Sequence, residues 1–348
     1  MTELNAAKLA QYHHSAEKEV GSRSISIIGD EKDTKALRVV GPKGNAMDVT
    51  NWAFGQLCKL ADSAPADWLK KLPGHMAADN LNFGLQVLRK VSDVKLLFRK
   101  PENSDVWQLR AATGPNYGRI WDCEFTQALC DNFGDGQTGR FRMPGTFRSD
   151  LKPDEYTKEN STLFSSDRNT FVFLADQSNN VDLPNRRNGQ TGHLLRGFMA
   201  WNSEVGSDTI GGAGFLFDTM CCKRIIWAIE QFSEIRFRHT SSAPDKWLHE
   251  LQPFITEYAN SSAGPIEAKL AAAQKKKIDD VQKFLTERYN KARAAALIDT
   301  HMREEGRPPE TAWDIVTAMS AWAKSIPYTD SRVDVEREAG KILELVAA

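Results

Sequence analysis

The chain has 348 residues, 41% hydrophobic and 26% charged, with a formal net charge of −1. This is the composition of an ordinary globular protein with a sizeable core. A charge so near zero excludes a whole-molecule field that would draw the protein to a polyanion, so any such site has to be a local patch. No apolar run approaches the roughly 20 residues needed to span a bilayer. The opening stretch MTELNAAKLAQYHHSAEKEV lacks the apolar region of a secretory signal, and a cytoplasmic setting is expected.

Taken in chain order, residues 1–22 read as a loosely docked arm, followed by two short strands in SISIIGD and ALRVVGPKGN, the second stopping at Gly41-Pro42. Asp48 or Thr50 is placed to cap a helix carrying Trp52, Leu57 and Leu60, and Asp67, Trp68 and Leu72 begin a further turn. Leu81, Leu85 and Leu88 mark the next helical stripe. From about 94 to 240 the period shortens. VKLLFRK, VWQLRAAT, GRIWDCEF, TFVFLAD, LLRGFMAWNS and EIRFRHT read as strands, interrupted by helical segments around FTQALCDNF and over FLFDTMCCKRIIWAIEQF. In the latter, Phe217, Met220, Ile225 and Ala228 fall near one helical face. After Gly264-Pro265 the pattern is helical, with Ile278, Val281, Leu285, Tyr289 and Ala292 as one stripe. Pro308-Pro309 break it, a helix with Trp313, Val316, Met319 and Trp322 follows, and a last one spans about 331–346. The expected fold is α+β, a mostly antiparallel sheet with packed helices in a core domain over 23–263, plus a C-terminal helical region over 264–348.

Several chemistries fail on spacing. The string GDGQTG at 134–139 has the glycine spacing of a dinucleotide loop, but Pro144 sits where the required helix should run, and no P-loop string occurs. DQSNNVD at 176–182 alternates oxygens as a calcium loop does, yet Val181 and Arg187 stand where that loop needs glycine and glutamate. Cys58, Cys123, Cys130, Cys221 and Cys222 contain no C-x-x-C pair and read as reduced thiols; no metal or cofactor is expected. Glu204 and Asp208 with His239 supply the elements of a hydrolase, without a diagnostic spacing.

The basic–aromatic stretches carry the main functional expectation. LFRK, GRFRMPGTFR and IRFRH interleave Phe with Arg, and NRRNGQTGHLLR adds more cations. Single-strand binders pair a cationic groove with aromatic rings that stack on bases. On that reading Arg140, Arg142, Arg148, Arg186, Arg187, Arg196, Arg236 and Arg238 contact phosphates, and Phe141 or Phe147, as exposed loop aromatics, stack on bases. In a strand such as IRFRH, however, Phe facing the core and Arg facing water needs no ligand at all.

The segment WNSEVGSDTIGGAGFLFDTMCCKRIIWAIEQFSEIRFRHTSSAPDKW carries Asn202-Ser203-Glu204 with Gly206, the Cys221-Cys222 pair, and Arg238-His239-Thr240. These resemble the signature region of the DUF932 family of phage and plasmid proteins, as do YGRIWDCEFTQAL and TAWDIVTAMSAWAKSI, over roughly residues 90–345. The resemblance implies a cytoplasmic mobile-element protein concerned with nucleic-acid metabolism. A basic sheet crossed by a helix is also similar in architecture to the Rad52-like single-strand annealing proteins. The resulting expectation is a non-catalytic protein that binds single-stranded DNA as a homo-oligomer. A protein–protein interaction factor is the first alternative, suggested by the nine tryptophans, and the hydrolase is the second.

Overall fold

The structure, a computed structural model, describes residues 1–31, 37–41, 44–88, 90, 92–143, 163–183, 192–218, 223–226 and 234–347. Two sheets share the interior. The first has six strands in the order β1-β5-β6-β4-β3-β2: β1 (Ser15–Gly21), β2 (Ser26–Gly29), β3 (Leu37–Val40), β4 (Ala46–Val49), β5 (Asp93–Arg99) and β6 (Gln108–Thr113). Every pairing in it is antiparallel except β4 with β6. The second is antiparallel and built on β9 (Thr170–Leu183), β10 (Gly192–Asn202) and β11 (Ile210–Asp218). On β9 lie β7 (Phe141–Arg142) and β8 (Leu163–Ser165); on β11 lie β12 (Lys223–Ile226) and β13 (Ile235–Phe237). With the helices packed on them, the sheets make an α+β fold.

Helices α2 (Asn51–Leu60), α3 (Ala66–Leu69) and α4 (Gly74–Phe83, continued by a π turn to Leu88) pack on one face of the six-stranded sheet. Of the two sequence candidates, Thr50 is the cap of α2: its hydroxyl accepts from the Ala53 amide at 3.3 Å. The edge strand β2 is closed by side chains: Asn82 donates to and accepts from Ile27 at 2.8 Å, and Gln86 reaches Ile25 O at 3.1 Å. These amides satisfy part of an edge that would otherwise recruit another strand.

The seven-stranded sheet is buried on both faces. Against one lie α5 (Asp122–Phe133) and α6 (Ala243–Asn260), packing Phe125, Leu129, Trp247 and Leu251 onto Leu174, Phe198 and Ile210. The other holds Phe173, Met199, Trp201 and Phe215, with Val333 from α11 (Thr329–Ala347). The C-terminal helices α7 (Gly264–Lys275), α8 (Val281–Thr286), α9 (Lys291–Glu305), α10 (Ala312–Ala323) and α11 share one core with Val181, Leu194, Leu216 and Ile225 of that sheet. They are thus fused to the sheet by a common apolar interior.

Four expectations need correcting. Residues 1–22 form no loose arm: α1 (Thr2–His13) buries Met1 and Lys8, and β1 pairs with β5 along its whole length. The stretch FLFDTMCCKRIIWAIEQF is not one helix, since β11 ends at Asp218 and β12 pairs back on it over 223–226; Met220, Cys221, Cys222 and Ala228 lie outside the described residues. Burial on both faces removed the polar–apolar alternation that identifies a strand. GRIWDCEF is no strand either, because α5 already begins at Asp122. The long C-terminal helical run breaks into α7, α8 and α9. Helix α6 was not anticipated, although Trp247, Leu251, Ile255 and Ala259 repeat at helical spacing behind Pro244. No helix among the described residues is long and apolar enough to cross a membrane.

Candidate functional site

The turn Asn202–Gly206 between β10 and β11 joins the two sheets. Val205 inserts against Leu97 and Ala111 on the six-stranded sheet, and its carbonyl accepts from Trp52 Nε1 at 3.0 Å and Gln56 Nε2 at 2.8 Å. Glu204 is 3% exposed and saturated with donors. Its Oε2 accepts from Arg99 and Arg110, both at 2.9 Å, and its Oε1 from the Asp122 amide at the first turn of α5, also at 2.9 Å. A carboxylate there also opposes the positive end of the helix dipole. Arg119 donates to the Glu204 carbonyl and pairs with Glu17 of β1 at 3.0 Å.

Asp122 is the second buried carboxylate. It accepts from Lys8 at 2.7 Å, Thr170 at 2.6 Å and Asn202 at 2.8 Å. Burial opposes its charge, yet Lys8 and the two neutral donors outweigh burial and hold it below the ordinary carboxylate range. Burial, reinforced by Arg110, lowers Arg99 to about 10. The junction thus ties α1, both sheets and α5 through paired charges.

Glu204, Asp208 and His239 do not assemble as a catalytic set. None of the three hydrogen-bonds to another. Asp208 accepts from its neighbour Thr209 at 2.7 Å and from Arg236 at 3.2 Å. His239 stacks on Tyr117 at 4.9 Å, bonds Gly118 O through Nδ1 at 3.1 Å, and is lowered to about 4 chiefly by burial. A general base needs a free, accessible atom near the substrate, and Glu204 has none. No group of three or more His, Cys, Asp or Glu that could hold a metal ion occurs among the described residues.

The proposed phosphate contacts fare unevenly. Arg140 bonds Asp176 at 2.7 Å, Asn260 at 2.9 Å and Ala259 O at 2.8 Å. Arg196 is 1% exposed and reaches Tyr258 O at 2.6 Å and Ser261 O at 2.8 Å. Both arginines therefore satisfy the last carbonyls of α6, the end of a helix where cations are stabilising. Phe141 is buried, edge-on to Phe133 and Phe198, so it offers no face to a base. Arg142 is half-buried and donates to Gly139 O at 3.1 Å. Arg236 is exposed but engaged by Glu234 at 2.8 Å and by Asp208. Phe147, Arg148, Arg186 and Arg187 lie outside the described residues.

Arg238 stands apart. It is exposed and lines a cleft of about 240 Å³ between β13 and the first turns of α6, with Arg236, Phe237, Lys246, Trp247 and Glu250. Neither Arg238 nor Lys246 has an ion-pair partner among the described residues. Lys246 was missed because α6 was missed.

No protein-family model, no curated protein and no solved structure matches the chain.

Proposed function

We propose that the protein is a binding protein that takes single-stranded nucleic acid at the cleft between β13 and α6, without catalysis. The observation that carries this is the convergence of Arg238 and Lys246, neither ion-paired among the described residues, on one cleft beside the half-buried ring of Phe237, with Glu250 as the acid in its lining. A phosphate there gains two charge-assisted donors and faces the positive end of α6. The reading also draws on the resemblance of the Asn202–Gly206 turn and of Arg238-His239-Thr240 to the phage and plasmid family, which implies a cytoplasmic mobile-element factor, and on the annealing analogy, which implies a homo-oligomer.

Two free cations are a small footprint, so affinity is expected to be modest. Each neutralised phosphate of a single strand contributes about −0.7 to the slope of log K against log salt, giving about −1.4 for two. Fluorescence anisotropy of labelled single- and double-stranded oligonucleotides across a salt series measures this. Single-strand preference with such a slope, lost in the Arg238→Ala, Lys246→Ala double variant, supports the reading. Absence of binding at low salt, or binding untouched by the double variant, removes it.

One observation favours a protein partner instead. Met76, Phe83 and Val87 on α4 and its π extension, with Ile28 on β2, are 44%, 54%, 60% and 45% exposed. Met76, Phe83 and Val87 are spaced to fall on one outward side of α4 and its extension, and apolar side chains gathered on one side of a helix suit a contact surface. If the anisotropy measurement fails, this face becomes the leading candidate.

A further inference from the structure

The helix-bearing face of the six-stranded sheet is only partly covered. Helix α2 lies over β6 and α4 over β2, while the stretch towards β1 and β5 stays open as a groove of about 680 Å³. Its walls are Val20, Ile25, Val39, Met47, Phe98 and Trp107. That volume falls inside the roughly 300–1,000 Å³ of small-molecule sites, and the lining is apolar as theirs is.

One residue breaks the pattern. Strand β1 alternates, sending Glu17 to Arg119 on one side and turning Ala16, Lys18 and Val20 to the groove. Lys18 stands directly across from Leu96, between the Ala16–Phe98 and Val20–Val94 pairs. Among the described residues it is the sole charged side chain lining the groove, and it has no ion-pair partner among them. A lysine on an otherwise apolar face departs from the binary pattern of a half-buried strand.

We propose that this groove is a binding site for an amphipathic carboxylate, the aliphatic chain lying over the apolar floor and the carboxylate meeting Lys18 at the rim. Ser24, Ser26 and Asn45 line the same groove and offer further hydrogen bonds to the head group. Charge complementarity selects the anion: an amphipathic cation would meet Lys18 unscreened over the same floor.

An inward-pointing lysine on an edge strand also discourages pairing with another chain, a role that requires no ligand. Titration calorimetry with dodecanoate and with dodecyltrimethylammonium, both below their micellar concentrations, separates the two. Expected is saturable one-to-one binding of dodecanoate and none of the cation. Lys18→Glu keeps a charge on the edge but is expected to weaken dodecanoate about tenfold, the loss of one exposed ion pair plus repulsion. Ala16→Trp, at an exposed lining position away from the core, is expected to block the groove. Circular dichroism confirms that each variant is folded. No saturable dodecanoate binding by the wild-type chain overturns the site. Equal binding of the cation, or an unchanged affinity in Lys18→Glu, overturns the assignment of the ligand as an anion.

Discussion

The seven-stranded sheet carries packing on both faces, whereas the six-stranded sheet has its helix-bearing face covered in part and keeps a groove there. The difference shows in the burial of single strands. Every residue of β11 is buried, while β1 runs half-buried or exposed from end to end. A strand covered on both sides loses its alternation and becomes a continuous apolar run. A strand with one open side can carry Lys18 among alanine and valine and still fold. Packing is therefore deepest in one sheet, and the two sites proposed above lie along the other and at the first turns of α6.

The largest expected effect lies where the two sheets meet. Glu204→Ala leaves Arg99 and Arg110 buried without their shared carboxylate and removes the acceptor at the start of α5. Breaking a buried pair in this way costs about 3–5 kcal/mol, to be read from urea unfolding midpoints. A loss under 1 kcal/mol would mean that the junction does not hold the sheets together.

Next comes a glycine inside the doubly covered sheet. A Cβ at Gly197 of β10 would sit 2.5 Å from Leu174 O and 2.6 Å from the Phe215 ring. Gly197→Ala is expected to destabilise by about 1–3 kcal/mol, as overpacking of a core does, measured on the same unfolding curves.

The junction also predicts a pH dependence. His239 has its folded pKa depressed to about 4 by burial, against about 6.5 when unfolded. For a histidine held neutral, the contribution is fully present above the unfolded value and is lost as pH falls from about 6.5 towards 4. Stability should decline across that window by no more than about 1.4 kcal/mol per pH unit from this group. In His239→Gln the part of the slope due to this residue should vanish, and a slope identical to wild type would reassign it.

The smallest effect sharpens the contrast. A Cβ at Gly21, at the end of β1, meets nothing within 4 Å, and this glycine is not among the positive-φ positions. Gly21→Ala should change stability by less than about 0.5 kcal/mol, and a cost as large as that of Gly197→Ala would show that the open side is more tightly packed than the groove implies.

The features legible in the sequence are those set by neighbours along the chain. Thr50 caps α2 three residues ahead of its partner, and the i, i+3 stripe of Trp313, Val316, Met319 and Trp322 makes α10. Period and capping are local, so the α+β class and most elements from β2 to β6 follow from them. Side-chain roles resisted the same approach. Arg140 and Arg196 carry the charge of phosphate ligands, but each finds its partner at the end of α6, about 120 and 62 to 65 positions later. Phe141, flanked by arginines, looks like a loop aromatic until α5 and β10 close over it with Phe133 and Phe198. The arginines of IRFRH divide in the same way: Glu234 and Asp208 engage Arg236, and the cleft beside α6 leaves Arg238 open.

What the sequence alone determined, then, is the α+β class and the elements whose period or cap is written locally, such as α2, α4, β5, β6 and α10, because water on one side imprints a period on the residues; α1, β1 and α6 also keep a wet face and were still not read. The tertiary structure decided which charges are spent inside the protein and which stay open to water. Hydrogen bonding and desolvation depend on groups brought together from distant positions, and no local pattern encodes that meeting.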